Sequence, residues 1–232
     1  MDLSVRSRLP EEMDAASLDP AIYQRCLSDL AALNRLTLTH RPVLRWLARA
    51  TSSLPPGAAF SVLDVAYGQG DLLRRIAAWA SRRGFRVKLS GIDLNPRSAS
   101  AASALTPAGT SIEYLTGDVF EYRTDAPPDF IVTSQFTHHL QDQQIVKLLR
   151  WFEETAVAGW YITDLHRHAF AYYGFPLLAT LLGWHRIVRS DGRVSIARGF
   201  RGAEWRALLA QAGIAAEVSW QLPFRHGISR LK

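Results

Sequence analysis

Cysteine is almost missing from this chain. Cys26 stands alone, which excludes an intrachain disulfide framework and a CxxC metal site, and makes a reducing cytoplasm the expected compartment. Long apolar runs are missing as well. The most apolar stretch, FAYYGFPLLATLLGW at 170–184, is shorter than the ~20 residues a spanning helix needs, and its Gly-Phe-Pro sequence is expected to break it. The first residues, MDLSVRSRLPEEMDAA, are charged throughout and lack an apolar h-region, which predicts a protein that is not exported. Charge of one sign is never concentrated. The formal net charge is +6, but no five basic residues follow one another, and without a basic arm or stacking platform no nucleic-acid partner is expected.

With 232 residues, 48% of them hydrophobic, the chain can bury one substantial core. Residues 18–50 read as two helices, with Pro42 in the first turn of the second. FSVLDVA at 60–66 is a strand without clean alternation, as in a parallel sheet covered on both faces. Then the period changes: DLLRRIAAWA at 71–80 puts Leu72, Leu73, Ile76 and Ala80 on one helical face. Strands follow at 85–93, 112–118, 129–136 and 159–165, with helices at 95–105 and 141–154 between them. This repeated order calls for an α/β fold, a mainly parallel sheet with helices on both faces. After a helix at 201–213, the runs AAEVSWQL and RHGISRLK have no helix between them, so a C-terminal antiparallel hairpin closes the sheet. The expected division is an N-terminal helical cap over 1–57 and a main domain over 58–232, with a lid-like insertion at about 168–200.

The turn in VLDVAYGQGD, 62–71, joins the first strand to the first helix of the sheet. A dinucleotide fingerprint would need a third glycine where Leu73 stands, and a phosphate-binding P-loop would need GKS or GKT after the glycines. Neither is present. The turn therefore suits a ligand that approaches the backbone closely without presenting a phosphate.

DVAYGQG resembles the acid-x-G-x-G-x-G motif of class I S-adenosylmethionine-dependent methyltransferases, with Ala66 in place of the first glycine. GIDLNP, TGDVF and DFIVTSQFTHHL follow in that family's order. The resemblance implies a Rossmann-like fold of seven strands, S-adenosylmethionine as cofactor, and a donor site made of Asp64, Ala66, Tyr67, Gly68 and Gly70, then Asp93 and Leu94, Asp118 and Val119, and Ser134 and Gln135. In it Asp93 would hold the ribose and Asp118 the adenine amino group. A carboxylate such as Asp93 can accept from both vicinal hydroxyls of a ribose.

The acceptor is less directly written. An oxygen acceptor must shed a proton, and the histidines beyond the fourth and fifth strands, His138, His139 and His166, are the candidate bases, since an imidazole titrates near neutrality. An acceptor that ionises easily would need only proximity. No metal is expected, because no acidic ligand set stands at the usual spacing from these histidines. The Asn/Asp-Pro-Pro-aromatic run of nitrogen methyltransferases is replaced by TSQF, which argues against nucleobase N-methylation. His168, Tyr172, Tyr173 and Phe175 are expected to line an aromatic lid suited to a hydrophobic small molecule. The expected activity is methylation of a hydroxyl on a lipophilic phenolic, quinone-like or polyketide-derived molecule. C-methylation of an aromatic ring and donor binding without catalysis are the alternatives, and a homodimer is compatible with the aromatic insertion.

Overall fold

The computed structural model describes residues 2–15, 17–124 and 126–232; of the segment expected as a cap, Met1 and Ala16 lie outside this set. Helices α1 (Pro20–Leu36) and α2 (Arg41–Ala50) precede β1 (Ala59–Val65). The alternation then runs α3 (Asp71–Arg82), β2 (Arg86–Asp93), α4 (Pro96–Leu105), β3 (Glu113–Thr116), β4 (Phe130–Ser134), α5 (Asp142–Thr155) and β5 (Gly159–Leu165). Two helices follow in the segment expected as a lid, α6 (Ala169–Leu181) and α7 (Arg186–Arg198), and then α8 (Gly202–Ala212), β6 (Glu217–Gln221) and β7 (Arg225–Leu231). The seven strands lie in the order β3-β2-β1-β4-β5-β7-β6. β7 is antiparallel to both of its neighbours, and the pairs among β1 to β5 are parallel.

Successive side chains of a strand point to opposite faces, and here both faces are buried. Leu63 and Val65 of β1 join Ile145, Leu148 and Phe152 of α5 and Trp205 of α8 in one core. Phe60 and Val62 join Leu72, Leu73 and Ile76 of α3 in the other. Helix α2 belongs to that second core through Val43, Trp46 and Leu47, each such burial contributing roughly 1.5–3 kcal/mol. Helix α1 lies elsewhere: its Cys26 packs with Trp184, Ile187 and Val188 of the lid, flanked by Ile22 and Leu33.

Three expected boundaries move. β3 stops at Thr116 and β4 at Ser134, the latter because Gln135 turns into the left-handed region at φ 57°. The expected break at Gly174-Phe175-Pro176 does not occur. α6 continues through Pro176, forgoing the bond that a proline nitrogen cannot donate, while Thr180 Oγ1 donates to the Pro176 carbonyl.

The strand order reverses between β1 and β4, and ligands of open parallel sheets bind beyond the carboxyl ends of the strands at such a point. The glycine turn leaves β1 there, and Gln135 leaves β4 beside it.

Candidate functional site

The turn after β1 is built from three left-handed residues in five positions: Ala66 at φ 61°, Gly68 at 55° and Gly70 at 73°. Ala66 N–H donates to the Ile92 carbonyl at 2.8 Å, and Gly70 N–H to that of Tyr67, which closes the turn against the end of β2. Gly70 has a second reason to lack a side chain, since a Cβ there would lie 2.6 Å from Tyr114 Oη. At Gly68 a Cβ would meet no protein atom. The backbone is thus bare where the space in front of it is open.

Asp93 is nearly buried and accepts from Gly68 N–H through one oxygen and Asn95 N–H through the other, both at 2.8 Å. These bonds fix the carboxylate plane while leaving lone pairs on both oxygens. Asp64, deeper at the end of β1, is pushed well above the usual carboxylate range by burial and then by the Asp93 charge. Asp118 accepts from Phe120 N–H at 2.9 Å. Leu94 is 71% exposed beside Asp93, whereas Val119 is buried. Ser134 Oγ is buried without a partner, as is Tyr67 Oη beneath the turn.

α1 closes over this arrangement. Gln69 Nε2 donates to the Leu27 carbonyl at 3.1 Å, Asn95 Nδ2 to Tyr23 Oη at 3.1 Å, and Gln135 Nε2 to Asn34 Oδ1 at 2.9 Å. One helix therefore touches the turn and the ends of β2 and β4.

The histidines are arranged differently from the expectation. His138 is 4% exposed. Its Nδ1 lies 2.7 Å from Asp164 Oδ1, its Nε2 3.6 Å from Glu11 Oε1, and its backbone N–H donates to Asp164 at 2.9 Å. Burial works against its protonation, but Asp164 and Glu11 outweigh burial and raise it to about 9. His138 is thus a cation held between two carboxylates. His139 lies 3.9 Å from Glu11 and 3.5 Å from Asp14. His166 accepts from Trp220 Nε1 at 3.2 Å; burial, then His226 and His168, depress it to about 4, too weak a base to hold a proton near neutrality. Glu11, His138 and His139 bring ligand-type atoms within 4.8 Å of one another, a grouping that local spacing does not reveal. With His138 charged and Arg198 3.8 Å from Glu11, cations already answer that carboxylate.

A cavity of about 400 Å³ opens beyond β4 and β5. Phe170, Gly174, Phe175 and Leu178 of α6, Val188 and Ile196 of α7, Leu30 and Leu33 of α1, and Phe224 at the hairpin wall it. Gln135 is on its lining, while the glycine turn is not. No histidine lines it. Its polar groups are Glu11, Asp191, Ser195, Thr37, Gln135 and Arg225.

Residues 62–156 match the model of a methyltransferase domain. Among solved structures, the plantazolicin methyltransferase BpumL in complex with SAH is 13% identical with a TM-score of 0.67, over 92% of this chain and 91% of that one. The plantazolicin methyltransferase BamL, with a triazolic desmethylPZN analog and SAH, is 16% identical with a TM-score of 0.59, over 79% of this chain and 66% of its own. Magnesium protoporphyrin IX methyltransferase from Synechocystis PCC 6803 with bound SAM is 12% identical with a TM-score of 0.55, over 95% and 88%. No curated protein matches in sequence. Residues 62–156 are thus those of a methyltransferase domain, and the chain shares the fold of these solved methyltransferases.

These solved structures hold SAH or SAM, and the turn of this chain has features that fit such a ligand. A bare backbone at Gly68, a fixed carboxylate at Asp93, an exposed apolar side chain at Leu94 and an orphaned hydroxyl at Ser134 stand side by side. Of the expected lid residues, Phe175 reaches the cavity. Tyr172 is buried instead against Ile196 and Ala197, its hydroxyl bonded by Arg193 at 3.0 Å. Tyr173 faces out, 60% exposed, and His168 caps α6 by accepting from Phe170 N–H. Glu11, Leu33, Asp191 and Arg225 had no signal in the sequence, because each reaches the cavity from a segment that carries no motif. Among the described residues, no helix is long and apolar enough to cross a membrane.

Proposed function

We propose that this methyltransferase transfers a methyl group from S-adenosylmethionine to an oxygen of a lipophilic small molecule, with phenolic, quinone-like or polyketide-derived acceptors as the fitting class. The observation that carries the reading is the largely apolar cavity walled by α1, α6, α7 and the hairpin, whose lining includes Gln135 at the end of β4, the strand paired with the one the glycine turn leaves. It has the size and lining of a small-molecule site.

When bound, S-adenosylmethionine supplies a methyl carbon on a positively charged sulfur. Asp93 would hold the ribose, Asp118 the adenine amino group, and the bare backbone at Gly68 the methionine portion. The protein's remaining task is to hold an acceptor oxygen in line and about 3 Å from that carbon, where restricted motion alone supplies much of the rate. The lid helices and α1 exclude water from the same space. Since His138 is paired and His166 is only weakly basic, proximity carries the reaction and the acceptor is one that ionises readily.

The test is calorimetry with S-adenosylhomocysteine, followed by radiolabelled methyl transfer to a panel of alkylated phenols and acids. S-adenosylhomocysteine should bind and raise the melting temperature while NAD and NADP should not, because only a ligand of the native state stabilises it. Stabilisation by NAD alone would overturn the reading. Tight S-adenosylhomocysteine binding with no transfer to any acceptor would favour a binding protein over an enzyme.

A further inference from the structure

Arg225 opens β7 and is 3% exposed, yet it lines the acceptor cavity. Its guanidinium donates to the Pro223 carbonyl at 3.1 Å, to Thr37 Oγ1 at 3.1 Å and to Thr39 Oγ1 at 2.9 Å. All three acceptors are neutral. No carboxylate among the described residues lies within salt-bridge distance, and Nε has no partner at all. A neutral donor could bridge Thr37, Thr39 and Pro223 without the cost of burying a charge, so the fold alone gives no reason for a cation here.

The two carboxylates on the same cavity are already engaged. Glu11 accepts from Ser195 Oγ at 2.8 Å and lies 3.6 Å from His138 and 3.8 Å from Arg198. Asp191 accepts the backbone N–H groups of Glu12 and Met13, each at 2.9 Å. Arg225 is left as a buried cation beside Phe224 whose partners are all neutral, in a chamber walled mainly by apolar side chains, and Asp191, held by backbone N–H groups alone, is not its counter-ion.

We propose that Arg225 is the docking cation for an oxyanion of the acceptor, and that the substrate is therefore a lipophilic acid, either a carboxylic acid or an acidic phenol or enol. The inference rests on the methyltransferase reading and names its substrate class. Burial depresses Arg225 to about 10, with Asp164 only partly offsetting it, as befits a cation short of a counter-ion. An acceptor that arrives ionised also removes the need for a histidine base, and no histidine lines the cavity. In the transfer, the acceptor oxygen forms a bond to the methyl carbon as the methyl–sulfur bond breaks, and that electron pair returns to sulfur. The products are a methyl ester or ether and S-adenosylhomocysteine, and no proton is transferred. Arg225 acts as a specificity-determining residue, since a guanidinium is the side chain best suited to an oxyanion in a dry site.

The experiment measures binding of four probes to the full chain saturated with S-adenosylhomocysteine: para-hexylbenzoate, para-hexylbenzamide, an acidic para-alkyl nitrophenol and its methyl ether. The benzoate should bind at least about tenfold more tightly than the amide if the carboxylic class is correct, and the nitrophenolate likewise over its ether if the phenolic class is. Arg225→Met should reduce either preference to within about threefold and leave S-adenosylhomocysteine affinity unchanged. Arg225→Lys, which keeps the charge, should retain part of the preference. Equal binding of acid and neutral partner in both pairs would overturn the proposal, as would a preference that survives in Arg225→Met. A loss of S-adenosylhomocysteine affinity with the acid preference intact would assign Arg225 to the donor and equally overturn it. Should Arg225→Met fail to fold, the wild-type pairs and Arg225→Lys still decide. Absence of S-adenosylhomocysteine binding in the wild type would instead strike the methyltransferase reading itself.

Discussion

The proposed donor half and the proposed acceptor half of this molecule are built by different rules. The proposed donor site comes from the segments that leave β1, β2 and β3, so that Gly68, Asp93 and Asp118 are each placed by the strand they follow. The proposed acceptor half is gathered from far apart: Glu11 and Leu33 before the sheet, Gln135 just after β4, Phe175 in α6, Asp191 in α7, Arg225 in the hairpin. A ligand common to many enzymes can be held by the sheet alone, whereas a particular acceptor is held by what surrounds the sheet. Changes in the two halves should therefore separate cleanly into donor affinity on one side and acceptor selection or lid attachment on the other.

The largest effect that would sharpen this contrast is expected at His138, which pins the lid and N-terminal segment to the sheet. His138→Gln leaves Asp164 buried without its cation, removes one of the cations beside Glu11, and should cost ~3–5 kcal/mol of stability, read by urea denaturation. The pH dependence has a definite sign. His138, raised to about 9, contributes stability that is full below roughly pH 6.5, its unfolded value, and is lost as pH climbs through about 9. For Glu11 and Asp164, burial raises the carboxyl, but pairing with His138 outweighs it and holds each at about 2. Their contribution is present above the ordinary carboxylate range and is lost as pH falls toward 2. The wild type should thus be most stable in the weakly acidic to neutral range. His138→Gln should lose the alkaline decline, and an unchanged alkaline limb would deny the ion pairing.

Next in size is Asp93→Ala. Removing a charged acceptor from a ribose should weaken S-adenosylhomocysteine binding by roughly 1.5–3 kcal/mol in calorimetry. Acceptor probes should bind the folded variant as before. A variant that keeps its donor affinity would sink the ribose role, and one that loses both ligands together would erase the distinction between the halves.

This division also explains what could be read in the sequence. Asp93 and Gly68 were legible because each sits next to a strand whose apolar pattern is local, and the turn needs glycine for a local reason, its φ angle. The sheet and its hairpin were legible for the same cause. The fate of His138 was not: an HHL run after a strand looks the same whether its partner is solvent or Glu11, and Glu11 is distant in the chain. Pro176 misled in the opposite direction, since a single lost bond did not stop α6. Phe175 was legible as an aromatic, but not the reason it fits, which is Gly192 on α7. A Cβ at Gly192 would collide with the Phe175 ring. Phe175→Ala should accordingly cost ~1–2 kcal/mol, appearing as a rise in the acceptor KM with little loss of kcat, because a lid wall contributes binding shared by ground and transition states. A fall in kcat at unchanged KM would place Phe175 in the transition state instead of the wall.

The smallest expected effect concerns the donor half's one departure from its family pattern. Ala66 occupies the left-handed region at φ 61°, where an L side chain costs roughly 1–2 kcal/mol and glycine costs nothing sterically. Glycine also gives the unfolded chain more freedom to lose, which returns roughly 0.5–1 kcal/mol of that gain. Ala66→Gly should therefore stabilise the protein by about 0.5–1 kcal/mol, a rise of a few degrees at most in the melting temperature of the unliganded form. Donor affinity should stay within about twofold, because the Ala66 N–H already reaches the Ile92 carbonyl and the turn needs no rearrangement to bind. If affinity instead rose tenfold without a gain in stability, the Ala66 methyl would be obstructing the ligand, and the departure would be a feature of donor binding instead of a strain the fold tolerates.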